Sequence, residues 1–231
     1  MGEARESARR AWLARLAAAG ALGGAGLAGW IARALANGDM GPKQGVVRLE
    51  GTATVAGRPA HVGSAVSPGD RVTTGPGSQA VLVIGRDAFL MRSNTIIETR
   101  ERDGLVGDLL VKTGALLSVF SKKPLTIRAA NATIGIRGTA CYLEVDPASV
   151  YFCLCYGEAV VDGPRMQEKV VKTHHHDDPL LLTEEGGIMR AEPGKFRDHT
   201  DAELTMLEAL CGREPPFLKD GKKYPPGKYG G

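Results

Sequence analysis

The sequence predicts a mostly β protein, a sandwich or solenoid of short strands followed by one C-terminal helix. Three observations carry that expectation. Between residues 45 and 160, short apolar stretches alternate with Gly, Pro, Asp and Ser, and no segment of useful length keeps a helical period. Thirty-one glycines and only 5% aromatic residues suit turns and short strands better than a helical bundle. The apolar (43%) and charged (24%) fractions are those of a globular chain, not a disordered one.

The first 36 residues read as an address. Arg9-Arg10 precede Ala11-Trp12-Leu13, a mildly apolar Ala/Gly-rich run extends from Leu16 to Ile31, and Ala34-Leu35-Ala36 forms an A-x-A site. That is the order of a secretory signal, and the arginine pair resembles a twin-arginine export signal. The expectation is a periplasmic protein, anchored to the membrane through this segment if it is not cleaved. Gly23, Gly24, Gly26 and Gly29 make it a poor spanning helix. Removing residues 1–36 takes away Arg5, Arg9, Arg10, Arg15 and Arg33 with Glu3 and Glu6. The remaining 24 basic and 24 acidic residues leave a formal charge of zero. A nucleic-acid partner is therefore not expected, because the electrostatic footprint is missing.

Strands are expected at 46–49, 52–55, 71–74, 80–84, 88–91, 95–98, 108–112, 115–120, 125–128 and 133–136, and in a hairpin from Thr139 to Tyr156. The punctuation is Ala56-Gly57-Arg58-Pro59, Ser67-Pro68-Gly69-Asp70, Gly75-Pro76-Gly77-Ser78 and Arg102-Asp103-Gly104. Pro presets φ in such turns, and Gly supplies backbone conformations that other residues avoid. Beyond Val161 the pattern loosens, with strands at 170–173, 180–183 and 188–190. Thr200-Asp201-Ala202-Glu203 opens a helix with a capping box, and Leu204, Leu207 and Leu210 form its apolar stripe up to Gly212. The Pro/Gly-rich basic tail, 219–231, is expected to be disordered.

Several of these motifs also resemble a family. Val66-Ser67-Pro68-Gly69-Asp70-Arg71-Val72-Thr73-Thr74-Gly75, then Ser78-Gln79-Ala80-Val81-Leu82, Asn94-Thr95, and Ala132-Thr133-Ile134-Gly135-Ile136-Arg137-Gly138-Thr139 follow one another as in the FecR domain. That domain is the periplasmic β-rich sensing module of iron-dicitrate signalling. The resemblance covers residues 45–161 and implies a FecR-like β domain, with 162–218 as an extension carrying strands and the helix near 201–211. It implies a non-catalytic module that binds a protein or a small ligand. A membrane-spanning FecR regulator carries a cytoplasmic anti-sigma segment ahead of its membrane helix. Only eight residues precede Arg9 here, so the fold is carried over and anti-sigma activity is not. Arg137, between Gly135 and Gly138, reads as part of a structural corner.

The chemistry-bearing residues concentrate late in the chain: all four cysteines and four of the five histidines follow residue 140. Cys153 and Cys155 are two apart on one strand, so they share a face. Cys141 depends on register. If Val145 pairs with Val150, Cys141 lies opposite Leu154 on the other face, and a slip of one residue places it opposite Cys153 or Cys155. Three readings follow: apolar packing, a cross-strand disulfide, or a metal site. Thiolates select Cu(I), Zn or Fe. Cys141, Cys153 and Cys155 with His174, His175 and His176 are the candidate ligands, and His199 is a further source. Asp177 or Asp178 is the candidate to orient an imidazole. His61 reads as a surface residue and Cys211 as half-buried filler. No nucleophile elbow, HExxH, phosphate loop or nucleotide fingerprint appears. A redox enzyme built on the same cysteines would lack a recognisable acid, base or substrate pocket.

Overall fold

The computed structural model describes residues 26–27, 29–31 and 44–219. Most of the expected export signal and the tail from residue 220 therefore lie outside the described residues. The chain divides into two compact units, Met1–Pro42 and Lys43–Gly231, and every element named here belongs to the second. Among the described residues no helix is long and apolar enough to cross a membrane.

The fold is mostly β. Among the described residues, fourteen strands run in the order β1 (Gly45–Glu50), β2 (Ala53–Val55), β3 (Arg58–Pro59), β4 (Arg71–Thr74), β5 (Gln79–Ile84), β6 (Asp87–Met91) and β7 (Ile96–Arg102). Then come β8 (Leu105–Val119), β9 (Pro124–Ala129), β10 (Ala132–Val145), β11 (Ser149–Asp162), β12 (Lys169–Thr173), β13 (Leu180–Glu185) and β14 (Ile188–Pro193). Two helices close the chain, α1 (Asp201–Leu210) and the single turn α2 (Pro216–Lys219).

Strand β8 is the hub. Its first half pairs with β7 and, in parallel, with β9, and its second half pairs with β6 and β10. From the sequence, 108–112 and 115–120 read as two strands separated at Thr113-Gly114. The chain instead bends through Gly114, whose φ is +88°. A Cβ there would lie 2.4 Å from Thr95 Oγ1 and 2.5 Å from Thr95 Cα, so only glycine allows the approach. Likewise 133–136 and 139–145 are parts of one strand, β10. Its first part pairs with β9 and its last part with β8, and β11 runs along its other side.

Burial follows the pairing. β5 and β6 are buried on nearly every residue, as a hairpin covered on both faces should be. β9 alternates, with Leu125, Ile127 and Ala129 inward. The buried Asp87 carboxylate accepts from Ser121 N (2.8 Å), Ser121 Oγ (3.0 Å) and Lys123 Nζ (2.7 Å), which offsets the cost of burying it. In the Ser67–Asp70 turn, Asp70 Oδ2 accepts from Ser67 N at 2.8 Å and Gly69 has φ +105°. Arg137 is exposed and sits opposite Glu158 across the ladder.

The helix forms where the capping signal predicts. Thr200 Oγ1 accepts from Glu203 N (3.3 Å), and Glu203 Oε2 accepts from Thr200 N (3.0 Å). Gly212 follows the Cys211 cap with φ +68°. Leu204, Met206, Leu207 and Leu210 are buried, and α1 packs on β6 and β8. Each such side chain contributes about 1.5–3 kcal/mol when fully buried.

Candidate metal centre

The β10–β11 hairpin builds the floor of the site. Asp146 and Ser149 close its turn, and Val145 pairs with Val150. In that register Cys141 lies opposite Leu154 and Tyr142 opposite Cys153. Cys141, Leu143, Phe152 and Leu154 therefore enter the apolar core together. Cys153 turns to the other face, with Tyr142 and Tyr151 beside it.

A bulge then re-aims the second cysteine. Tyr156 pairs with Ala140 and Leu154 with Cys141, so Cys155 is the extra residue on β11. Bulges bend a strand and redirect a side chain at such points. The Cys155 carbonyl, turned out of this ladder, accepts from His176 N at 2.9 Å. That bond holds the turn after β12 against the strand, and His176 itself has φ +52°.

Four buried side chains converge there. One ligand atom each from Cys153, Cys155, His176 and His199 lies within 4.8 Å of all the others. His199 Nε2 is 3.0 Å from His176 Nδ1, and Cys153 Sγ is 3.8 Å from His176 Nδ1. The far side of each ring is already engaged. His176 Nε2 meets Asp201 Oδ1 at 3.0 Å, and His199 Nδ1 meets the Arg197 carbonyl at 2.8 Å. Carboxylate and carbonyl oxygens only accept, so each outer nitrogen carries its ring's proton. As neutral rings, the two imidazoles aim lone pairs at one point. Only a proton shared between them or a cation coordinated by both relieves that opposition.

A metal ion fits the arrangement. Coordinating histidines almost always donate their second N–H to a carboxylate or a backbone carbonyl, and both do so here. Bonds of ~2.0–2.3 Å from N and S donors to one centre require ligand atoms this close together. Tyr142 stacks on His199 (4.6 Å between centroids, 20°), and Phe196 lies 4.9 Å from His176 and 4.5 Å from His199. These rings fix the imidazoles and exclude water.

The thiols differ in acidity. The Cys153 thiol is drawn well below the ordinary thiol range, first by a hydrogen bond from Cys155, with burial opposing and His176 and His199 assisting. Cys155 is pushed up by burial and by the neighbouring Cys153. Burial also works against charge on His176, but Asp201 and Cys153 outweigh it and raise its pKa. A metal ion bound here would displace protons.

Of the sequence candidates, the structure brings together Cys153, Cys155 and His176, joined by His199. Cys141 is on the opposite face, and His174 is exposed. His175 is buried and stands outside the four, its Nε2 on Asp201 Oδ1 at 2.8 Å and its ring against Phe217. Asp177 bonds the Thr173 hydroxyl (2.8 Å), and the orienting carboxylate is Asp201 instead. Sequence reasoning placed Asp201 only in the capping box. Its signal was its position two residues after His199, at the start of a capped helix. All four cysteines are unbridged.

No family model and no curated protein matches the chain. Among solved structures, it is similar to two crystal structures of a "putative anti-sigma factor" from Parabacteroides distasonis ATCC 8503. Both have a TM-score of 0.44, at 12% and 11% identity. Each match covers 53% of this chain and 59% of the other, so the chain spans well under two thirds of those neighbours.

Proposed function

We propose that the chain is an exported, non-catalytic β module that binds one thiophilic first-row metal ion, Zn, Cu or Fe, through Cys153, Cys155, His176 and His199. The observation that carries this reading is the convergence of two thiols and two imidazole nitrogens on one point, with both outer imidazole nitrogens already bonded to acceptors. Burial supports the non-catalytic part. The four residues are at most 2% exposed, which leaves no coordination position for a substrate. The twin-arginine resemblance agrees with it, since that route exports proteins already folded around a cofactor. Contact with a protein or small-ligand partner, implied by the FecR resemblance, falls to the outer surface.

The test is elemental analysis of natively exported protein carrying no added histidine tag. About one equivalent of metal per chain is expected, lost in Cys153→Ser. Metal-free protein, with four free thiols counted after denaturation, would overturn the metal reading.

A further inference from the structure

The ligands come from three separate pieces of chain. Cys153 and Cys155 sit on β11, which is paired along both sides. His176 sits in the turn between β12 and β13. His199 sits in the stretch from 194 to 200, which has no regular structure and leads into α1. That stretch and the first residue of α1 both reach the site, where Phe196 also packs on the two imidazole rings. His199 contributes a ligand, and Asp201, the first residue of α1, grips the outer nitrogen of His176. The start of the helix is thus braced to both imidazoles. Residues 194–219 are also held by the buried Leu204, Met206, Leu207 and Leu210 of α1, by Gly194 N on the Pro179 carbonyl (2.6 Å), by Arg92 Nη2 on Glu203 Oε1 (2.8 Å) and the Asp198 carbonyl (3.0 Å), and by Arg197 with Glu144 (2.6 Å).

We infer that the ion is a closed, four-coordinate Zn(II) and that it latches the C-terminal arm, residues 194–219, onto the sheet. This rests on the metal reading above. Two thiolates and two imidazoles with no open position are the donor set of structural zinc, which has no geometric preference of its own. Cu(II) and Ni(II) favour flatter nitrogen and oxygen sets. The ion takes ligands from both the sheet and the arm, so it binds the docked arm and not the undocked one. Zinc affinity and arm docking are then linked reciprocally.

The test uses the full chain, zinc-loaded and chelator-stripped, with hydrogen exchange resolved by segment. With zinc held at about 100 times its Kd, opening of the arm is suppressed about a hundredfold relative to stripped protein. Amides in 199–211 lose that protection on stripping, while those in β5, β6 and β8 keep theirs. A second arm uses Arg92→Gln, which loosens the arm without touching the ion. Its zinc affinity falls by the factor by which the docked fraction of the zinc-free protein falls. Equal protection with and without zinc, or an affinity in Arg92→Gln that does not follow its docked fraction, overturns the latch and leaves metal binding standing. Loss of protection across the whole sheet on stripping also overturns it. Resident copper or iron overturns the assignment to zinc, and failure to bind any ion overturns the metal reading beneath it.

Discussion

His199 Nε2 faces His176 Nδ1 across 3.0 Å, in a pocket where both rings are buried and both outer nitrogens are already bonded. Two acceptors so placed repel one another until a positive charge separates them.

Removing a ligand abolishes the site. Cys153→Ser, Cys155→Ser and His199→Gln should each reduce bound metal to background. At zinc concentrations 100 times Kd, each forfeits the roughly 2.7 kcal/mol of stability that binding supplies. Cobalt substitution gives a second readout. The wild type should show tetrahedral d–d bands with sulfur-to-cobalt charge transfer, and the variants should not.

Cys141 behaves as a core residue. Cys141→Ala should leave metal content unchanged and cost about 0.5–1.5 kcal/mol in denaturant unfolding, the scale of other small core deletions. Loss of metal in this variant would contradict the register that places Cys141 opposite Leu154.

Asp201 positions His176 and lies outside the four proposed ligands. Asp201→Asn should weaken metal affinity about 10–100-fold, the usual effect of losing an outer-shell partner. A competitive chelator titration reads that change, and the ligand set should persist in the cobalt spectrum.

Thiol counting separates the cysteines. Cys211 is the half-buried one, its thiol pushed up to about 11, mainly by burial with Arg213 partly offsetting. In metal-loaded native protein it should be the single thiol that alkylates, and slowly. Denaturation with a chelator should release four.

At the surface, Glu98 lies between Lys112 (2.7 Å) and Arg71, joining β7, β8 and β4. Lys112 first, and then Arg71, hold its carboxyl below the ordinary 4.5. Its contribution to stability is therefore present above about pH 4.5 and fades as pH falls through the lower folded value. Carboxyl NMR titration should show the depressed midpoint, and Lys112→Ala should return it towards 4.5.

Part of this centre was legible in the sequence. The two-residue period places Cys153 and Cys155 on one face, and both do reach the site although a bulge re-aims Cys155; the capping box marks the helix start to the residue. The register of Cys141 was not legible, because a slip of one residue exchanges the two faces and only the completed turn at Asp146–Ser149 settles it. The bulge at Cys155 leaves no local signature. The meeting of His176 with His199, and of Asp201 with both His175 and His176, is a long-range event that spacing alone does not encode. In the fold, Gly114 punctuates the sequence like a strand end, yet the chain bends there and continues, because its partner Thr95 crowds a site only glycine can occupy.

The ligands also follow a strict order along the chain. His176 comes 23 residues after Cys153, and His199 another 23 after that. A ribosome therefore delivers the thiols first and the final imidazole last, with the helix that braces it. While the chain is still emerging, the cysteine pair offers only a two-toothed grip that exchanges ions freely. For the proposed site, tight capture then waits for His199, and what surrounds the chain when that last ligand folds into place sets which ion is kept.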